Sequence, residues 1–295
     1  MDPKLIGIAA ALGSAASWAL GSILFKRLGE RLSSPAMTLA KQIISVVFLA
    51  AALALVGFQP LATDDLVLLV VSGLLGIALG DTFFFAALQD LGPVALIVLL
   101  TLGQVLTVVL AVVYLGESPA PWAWMGIGLV ICGVGTVLLG KVGGEQGVTG
   151  RRGMLFGLLS VVCMSVSMII AKEGLDSVSA LQATFLRMAA GAVGMFLFGL
   201  ASGRLRDWLL PFRDLRLGAG FLAAVLLVTF GGFWLSLVAI KYVDVSVANT
   251  LGSIEPVFVL PFAVVFLKEK ATWSTVLGTL TTVAGVVLLV RYGGV

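Results

Sequence analysis

Four ionisable residues lie within long apolar stretches of this 295-residue chain: Lys41, Asp81, Arg187 and Glu255. A charge near the centre of a bilayer costs about 2.5–3.5 kcal/mol on insertion scales, so each needs a partner, a wet cavity or a function. Asp81 stands deep in its stretch, in Ile77-Ala78-Leu79-Gly80-Asp81-Thr82-Phe83. A carboxylate there binds an ammonium group or a proton, or bonds to a neighbouring helix. Glu255 precedes Pro256 in the middle of another stretch. Proline lacks an N–H and frees a carbonyl upstream, so the pair reads as a kink hinged at Pro256 with a carboxylate beside it. Lys41 and Arg187, near the starts of their stretches, either snorkel to the interface or hold a carboxylate or phosphate. Charge pairing among the four is the alternative to direct contact with a small molecule.

Uncharged polar residues add to this set. Thr101 and Gln104 are three apart and share a helix face, while Asn249, Thr250 and Ser253 cluster before Glu255. Each can orient a bound molecule or bond across helices. Trp18 and Trp234 lie inside their stretches, where aromatics line cavities, whereas Trp122, Trp124, Trp208 and Trp273 lie near ends and read as interfacial anchors. The chain has no His, which removes the usual zinc sites and Ser-His or Cys-His catalytic pairs. No catalytic residue, metal or cofactor is expected. Cys132 and Cys163 sit in apolar runs and read as small buried packing residues.

The elements that must position these residues follow from composition. Hydrophobic residues make up 60% of the chain and charged ones 11%, against roughly 25% charged in a soluble domain. Mean hydropathy is +1.16. So few charges cannot cover a water-soluble globule of this size, which excludes an ordinary cytosolic enzyme, a disordered chain and a nucleic-acid binder. Ten apolar stretches long enough to span a bilayer run over about 5–25, 36–57, 66–88, 93–114, 122–140, 153–171, 179–202, 217–240, 244–267 and 273–291. They are longer and more uniformly apolar than the alternating segments of a membrane barrel. The fold class expected is an all-α polytopic membrane protein.

The chain also repeats itself. An offset of 146 carries Gly7 onto Gly153, Ser14 onto Ser160, Lys26 onto Lys172 and Lys41 onto Arg187. An offset of 152 then carries Gly80 onto Gly232, Ala87 onto Ala239, Leu115-Gly116-Glu117 onto Leu267-Lys268-Glu269, and Gly133 onto Gly285. The division expected is a first five-helix repeat over 1–140, a polar linker over 141–152 and a second repeat over 153–295. Five helices per repeat is an odd number, so the second repeat enters the membrane from the opposite side. That inverted construction is common in secondary transporters. Loops on one side carry twelve Lys and Arg, those on the other side four. The excess marks the inside, which places both termini outside. Glu117 and Glu269 end their helices and read as locks on the turns that follow.

Ten helices in two five-helix halves resemble the EamA family of the drug/metabolite transporter superfamily. The matching features are Lys41 and Arg187 in the second helix of each half, Gly116-Glu117 and Lys268-Glu269, the Gly-rich fifth helices, and Glu255-Pro256. The first half departs from the pattern, with Gly103-Gln104 where the second has Glu255-Pro256. The resemblance implies a central cavity between the repeats and export or exchange of small metabolites. Characterised relatives include amino-acid exporters, one of them for aromatic amino acids, and carriers of sugar phosphates and nucleotide sugars. The expectation is a secondary transporter working by alternating access, exporting an amino acid, with multidrug efflux as the alternative and a channel as a further one. Partners are the small molecule and the lipid bilayer. One chain holds both inverted halves, so a monomer is expected, in a prokaryotic inner membrane. No ATP-binding loop is present, so the energy must come from a gradient or from exchange.

Overall fold

A computed structural model describes residues 3–103, 105–106, 109, 121–142, 147–174, 179–242, 251 and 254–292. Every regular element among them is helical. In chain order these are α1 (Pro3–Leu28), α2 (Ser34–Val56), α3 (Thr63–Ser72) running through a π-helical stretch (Gly73–Gly80) into α4 (Asp81–Leu91), and α5 (Pro93–Leu100). Then come α6 (Pro121–Val142), α7 (Gly147–Glu173), α8 (Ala180–Ala201) and the short α9 (Leu205–Leu209). A second continuous rod follows, of α10 (Leu215–Leu226), a π-helical stretch (Leu227–Trp234) and α11 (Leu235–Tyr242). The last two helices are α12 (Glu255–Leu267) and α13 (Trp273–Tyr292). Among the described residues, five helical spans are long and apolar enough to cross a membrane: Lys4–Leu28, Ser34–Val56, Thr63–Leu91, Thr149–Ala171 and Leu181–Ala201. Shorter apolar helices cover Trp124–Leu139, Leu215–Thr229, Glu255–Leu267 and Trp273–Leu288. Much of the expected stretch 93–114 lies outside the described residues.

Local chemistry sets the ends. Pro35 and Pro93 occupy the first turns of α2 and α5, where a missing N–H costs nothing. Gly57 and Gly92 have φ of +93° and +80°, which L side chains rarely adopt, and they end the helices before them. The Ser179 hydroxyl accepts the Gln182 N–H at 3.3 Å and caps α8. Helices α6 and α7 run into the expected linker from both sides, to Val142 and from Gly147.

The chain forms two compact units that do not follow its linear halves. The first comprises Met1–Arg27, Ala87–Leu155 and Leu226–Val295, the second Leu28–Ala86 and Phe156–Val225. In the first unit, Ala19 and Ile23 of α1 pack with Val94 and Ile97 of α5 and Val259 and Ala263 of α12. Helices α6 and α13 cross there at glycine. A methyl at Gly133 would lie 2.6 Å from the Gly278 carbonyl oxygen, and one at Gly285 2.7 Å from that of Gly126. Small residues allow this approach, because lipid gives apolar helices no hydrophobic reason to associate and contact itself must hold them. In the second unit, Ala36 and Leu39 of α2 meet Ala78, Met195 and Trp208.

Contacts at the helix ends sort the loops by side. In the first unit Gln89 Nε2 donates to the Phe25 carbonyl, Arg152 grips both Asp90 carboxylate oxygens at 2.7 Å, and Arg27 donates to the Phe266 carbonyl. In the second, Arg31 pairs with Asp214 at 2.8 Å. These residues all flank the loops expected on the basic side. Residues from the other side meet separately: Gln59 and Gln182 exchange backbone and amide bonds at 2.8 and 3.0 Å, and Ser179 N–H donates to Gln59 Oε1. The Arg31 guanidinium, with the N–H groups of Leu217 and Arg216, holds the Asp214 carboxyl below its ordinary value. A lowered carboxyl pKa contributes above the ordinary carboxylate range and is lost only as pH falls through the lowered value, so this exposed tie persists in mild acid.

Two readings change on burial. Trp208 is 5% exposed, lying against Gly199 and Phe198, and is no interfacial anchor, whereas Trp273 is 81% exposed. Cys132 is exposed and Cys163 half-buried, rather than both being buried. Lipid and protein interior are both apolar, so an apolar neighbourhood in sequence does not say which of them a side chain faces.

Gly133→Ala is expected to destabilise the protein by about 1–3 kcal/mol through overpacking. Gly135→Ala, where a methyl would meet nothing within 4 Å, should leave stability unchanged or slightly raised. Thermal unfolding of the detergent-purified variants measures the difference, and equal midpoints would discount the close crossing.

Candidate functional site

Three of the four ionisable residues lie in the second unit. Helix α2 presents Thr38, Lys41, Gln42 and Ser45, a run with the 3–4 spacing of one helix face. Lys41 Nζ donates to Asp81 Oδ2 at 2.6 Å, with the two side chains only 14% and 6% exposed. Asp81 is the first residue of α4, directly after the π stretch, and its N–H bonds five residues back to the Gly76 carbonyl. Beside the pair, Thr82 Oγ1 donates to the Ala78 carbonyl at 2.6 Å and meets Thr38 Oγ1 at 3.1 Å.

The π stretch is the spine of this cluster. Gln42 Nε2 donates to the Ile77 carbonyl at 2.8 Å, while Gln42 Oε1 is buried with no hydrogen-bond partner. Gly73 lies so close to α8 that a methyl there would strike the Arg187 backbone. At Gly76 it would strike the Ser167 hydroxyl and come 3.6 Å from Arg187 Nη2. Arg187 Nη2 donates to Ser167 Oγ at 2.9 Å. Ser167 Oγ in turn donates to the Ser72 carbonyl at 2.9 Å, and Ser72 Oγ returns a bond to the Ser167 carbonyl at 2.8 Å. Arg187 is also within electrostatic reach of Asp81. The cluster thus holds two bases and one acid in the apolar part of the chain, tied by serine, threonine and glutamine. Wide π turns displace backbone groups from the α register and occur at functional sites.

The remaining residues of the expected site are placed differently. Glu255 belongs to the first unit, half-buried in the first turn of α12. Pro256 follows in that same turn, so it opens a helix where a mid-helix kink was expected; the proline inside α12 is Pro261. A helix N-terminus is a favourable place for the Glu255 carboxylate. Trp18 is half-buried in the first unit, where a methyl at Gly232 would come 2.8 Å from its Nε1. Thr101 is buried with its hydroxyl bonded to the Val98 carbonyl at 2.6 Å, so it closes α5. Gln104, Asn249, Thr250 and Ser253, together with Glu117, lie outside the described residues, as does the side chain of Trp234. The Glu269 carboxylate lies against Gly92, in the turn between α4 and α5.

Gln42, Ser72 and Ser167 were missed in the sequence, and so were both π stretches. Gln42 carried a visible signal, an amide beside Lys41 in an apolar run. The serines carried little, because a serine in a membrane helix can bond its own backbone unnoticed.

A family model described as the EamA-like transporter family matches the chain twice, over residues 5–139 and 151–291. The chain belongs to that family. Members of the EamA-like family are transporters, and with its apolar helices this one is an integral membrane transporter of small molecules. A solved structure described as "Crystal structure of protein" is similar to this EamA-like chain with a TM-score of 0.57 at 18% identity, covering 97% of this chain and 94% of the other. At that identity the likeness carries the fold alone. No curated protein matches the chain.

Removing one partner of a buried ion pair leaves a charge without compensation and costs roughly 3–5 kcal/mol, while removing both is far milder. Asp81→Asn alone is therefore expected to lower the unfolding midpoint strongly, and Lys41→Met combined with Asp81→Asn to recover most of it. Thermal unfolding around this double-mutant cycle checks the coupling; additive losses would mean the two groups do not support each other.

Proposed function

We propose that this EamA-like transporter exports an amino acid by alternating access around a midplane cavity between its two repeats. The observation that carries the reading is the charge pattern of the second unit. Lys41 and Asp81 form a pair that neutralises itself at 2.6 Å, and Arg187 brings a second base to the same cluster. A zwitterion offers the same two charges. Its ammonium group takes Asp81, and its carboxylate takes the base that Asp81 gives up or the planar fork of Arg187. A ring such as that of Trp18 is the kind of aromatic surface an apolar substrate side chain would meet. Phosphorylated substrates suit the cluster less well, because two bases already shared with Asp81 leave little charge for a dianion. Glu255, Gln104, Asn249, Ser253 and Trp234 are the further residues proposed for the substrate path, and Pro261 inside α12 gives that helix its freedom to bend. The setting proposed is a prokaryotic inner membrane, with the protein a monomer and both termini outside.

The test is counterflow of labelled amino acids by the purified protein in liposomes, with a pH gradient on and off. Saturable exchange of some amino acids, lowered at least tenfold in Arg187→Gln, is the expected outcome. Exchange of lipophilic cations with none of amino acids would move the assignment to multidrug efflux. A flux that never saturates would make the protein a channel.

A further inference from the structure

Two hydrogen bonds in different units are one contact built twice. In the first unit Ser14 Oγ donates to the Gly232 carbonyl at 2.7 Å. In the second, Ser160 Oγ donates to the Gly80 carbonyl at 3.0 Å. The offset of 146 carries Ser14 onto Ser160, and that of 152 carries Gly80 onto Gly232. The surroundings follow the same offsets. A methyl at Gly232 would come 2.8 Å from Trp18 Nε1, and one at Gly80 would come 3.1 Å from Met164 Cγ and 3.5 Å from Cys163 Cβ. Trp18 and Ser17 are the repeat equivalents of Met164 and Cys163, and Ser17 lies against Gly231. Further along, Gly21 takes up Val228, while at the equivalent positions Gly76 takes up Ser167. The close approach is kept, but the glycine has changed helices. Both carbonyls also lie at the ends of the π stretches: Gly80 is the last residue of Gly73–Gly80, and Gly232 is two from the end of Leu227–Trp234.

Each bond joins the first helix of one repeat to the third helix of the other. A carbonyl has two lone pairs, so it takes the serine hydroxyl on one and a helix N–H on the other, and the hydroxyl fixes the direction in which the carbonyl points. The return from π to α changes that assignment, from the fifth residue back to the fourth. A serine fixed on the carbonyl at the return therefore holds the register of the stretch before it.

We propose that Ser14 and Ser160 are positioning residues, the two arms of a latch that sets the register of the two π stretches. One arm is held more tightly in each access state. This rests on the alternating-access reading, in which inverted repeats exchange conformations. The arms are equivalent by the repeat offsets and unequal in consequence. Gly80 precedes Asp81, so the Ser160 arm fixes the backbone that presents the Asp81 carboxylate to Lys41. Gly232 precedes Phe233, so the Ser14 arm fixes no charge.

Hydrogen–deuterium exchange of the full-length protein in lipid nanodiscs tests the latch. Ser160→Ala should speed exchange in residues 73–80 about fivefold, the effect of one ordinary hydrogen bond, and slow it or leave it unchanged in residues 227–234. Ser14→Ala should give the reciprocal pattern. Serine to cysteine, nearly isosteric and a weak donor, should give smaller shifts of the same sign, and it serves if an alanine variant does not fold. Restoring Ser160→Ala to Ser160→Thr should bring exchange back toward the wild type. In counterflow, Ser160→Ala should raise the half-saturating substrate concentration more than Ser14→Ala does, through Asp81. If both variants loosen both stretches equally, or neither stretch responds, the latch is wrong. Wild-type protein that exchanges no solute would sink the transport reading, while the exchange pattern would still decide the latch.

Discussion

No water reaches the hydrocarbon core of a bilayer, so every polar group of this chain that lies there must find its partner inside the protein. The second unit is organised by that constraint. Lys41 and Asp81 neutralise each other, Ser72 and Ser167 exchange hydroxyls for carbonyls, and Arg187 is held by Ser167. Gln42 satisfies its amide on Ile77 and leaves one oxygen, the point in the cluster where a donor is wanted. These groups come from α2, α3, α4, α7 and α8 and the π stretch between α3 and α4. The ties that satisfy charge are therefore also the ties that hold the helices of this unit together.

The same constraint explains the use of glycine. Lipid removes the hydrophobic drive between helices, and what remains is contact and polar bonding at short range. Gly133, Gly278 and Gly285 bring the backbones of α6 and α13 together. Gly73, Gly76 and Gly80 bring the π stretch against α7 and α8 closely enough for serine hydroxyls to reach carbonyls. A π stretch is a costly departure from the α ladder, and finding one in the third helix of each repeat argues that the departure is kept for motion or for binding.

Function then follows from what the two repeats share and where they differ. Both build the same serine–glycine contact. Only the first repeat has Asp81, where the second has Phe233, while each repeat carries one base at the equivalent position, Lys41 in the first and Arg187 in the second. The carboxylate thus stands in one repeat alone.

The sequence by itself determined the class of molecule. Hydropathy, the scarcity of charge and the double offset led to an all-helical membrane transporter built as two repeats, and the family match follows the same two segments. It also marked Lys41, Asp81 and Arg187, because a charge in an apolar run stands out whatever its neighbours are. It did not determine partners. Whether Asp81 met Glu255, Arg187 or Lys41 depended on which helix faces turn toward each other, and nearly uniform apolar helices carry no periodic signal for that. Trp208 inside and Cys132 outside were lost for the same reason, since lipid and core select the same side chains. Pro256 at a helix start, the π stretches and the crossing of Ser14 and Ser160 between repeats are settled only by tertiary structure. Each depends on where backbone carbonyls of distant segments come to lie, and side-chain identity alone does not encode that.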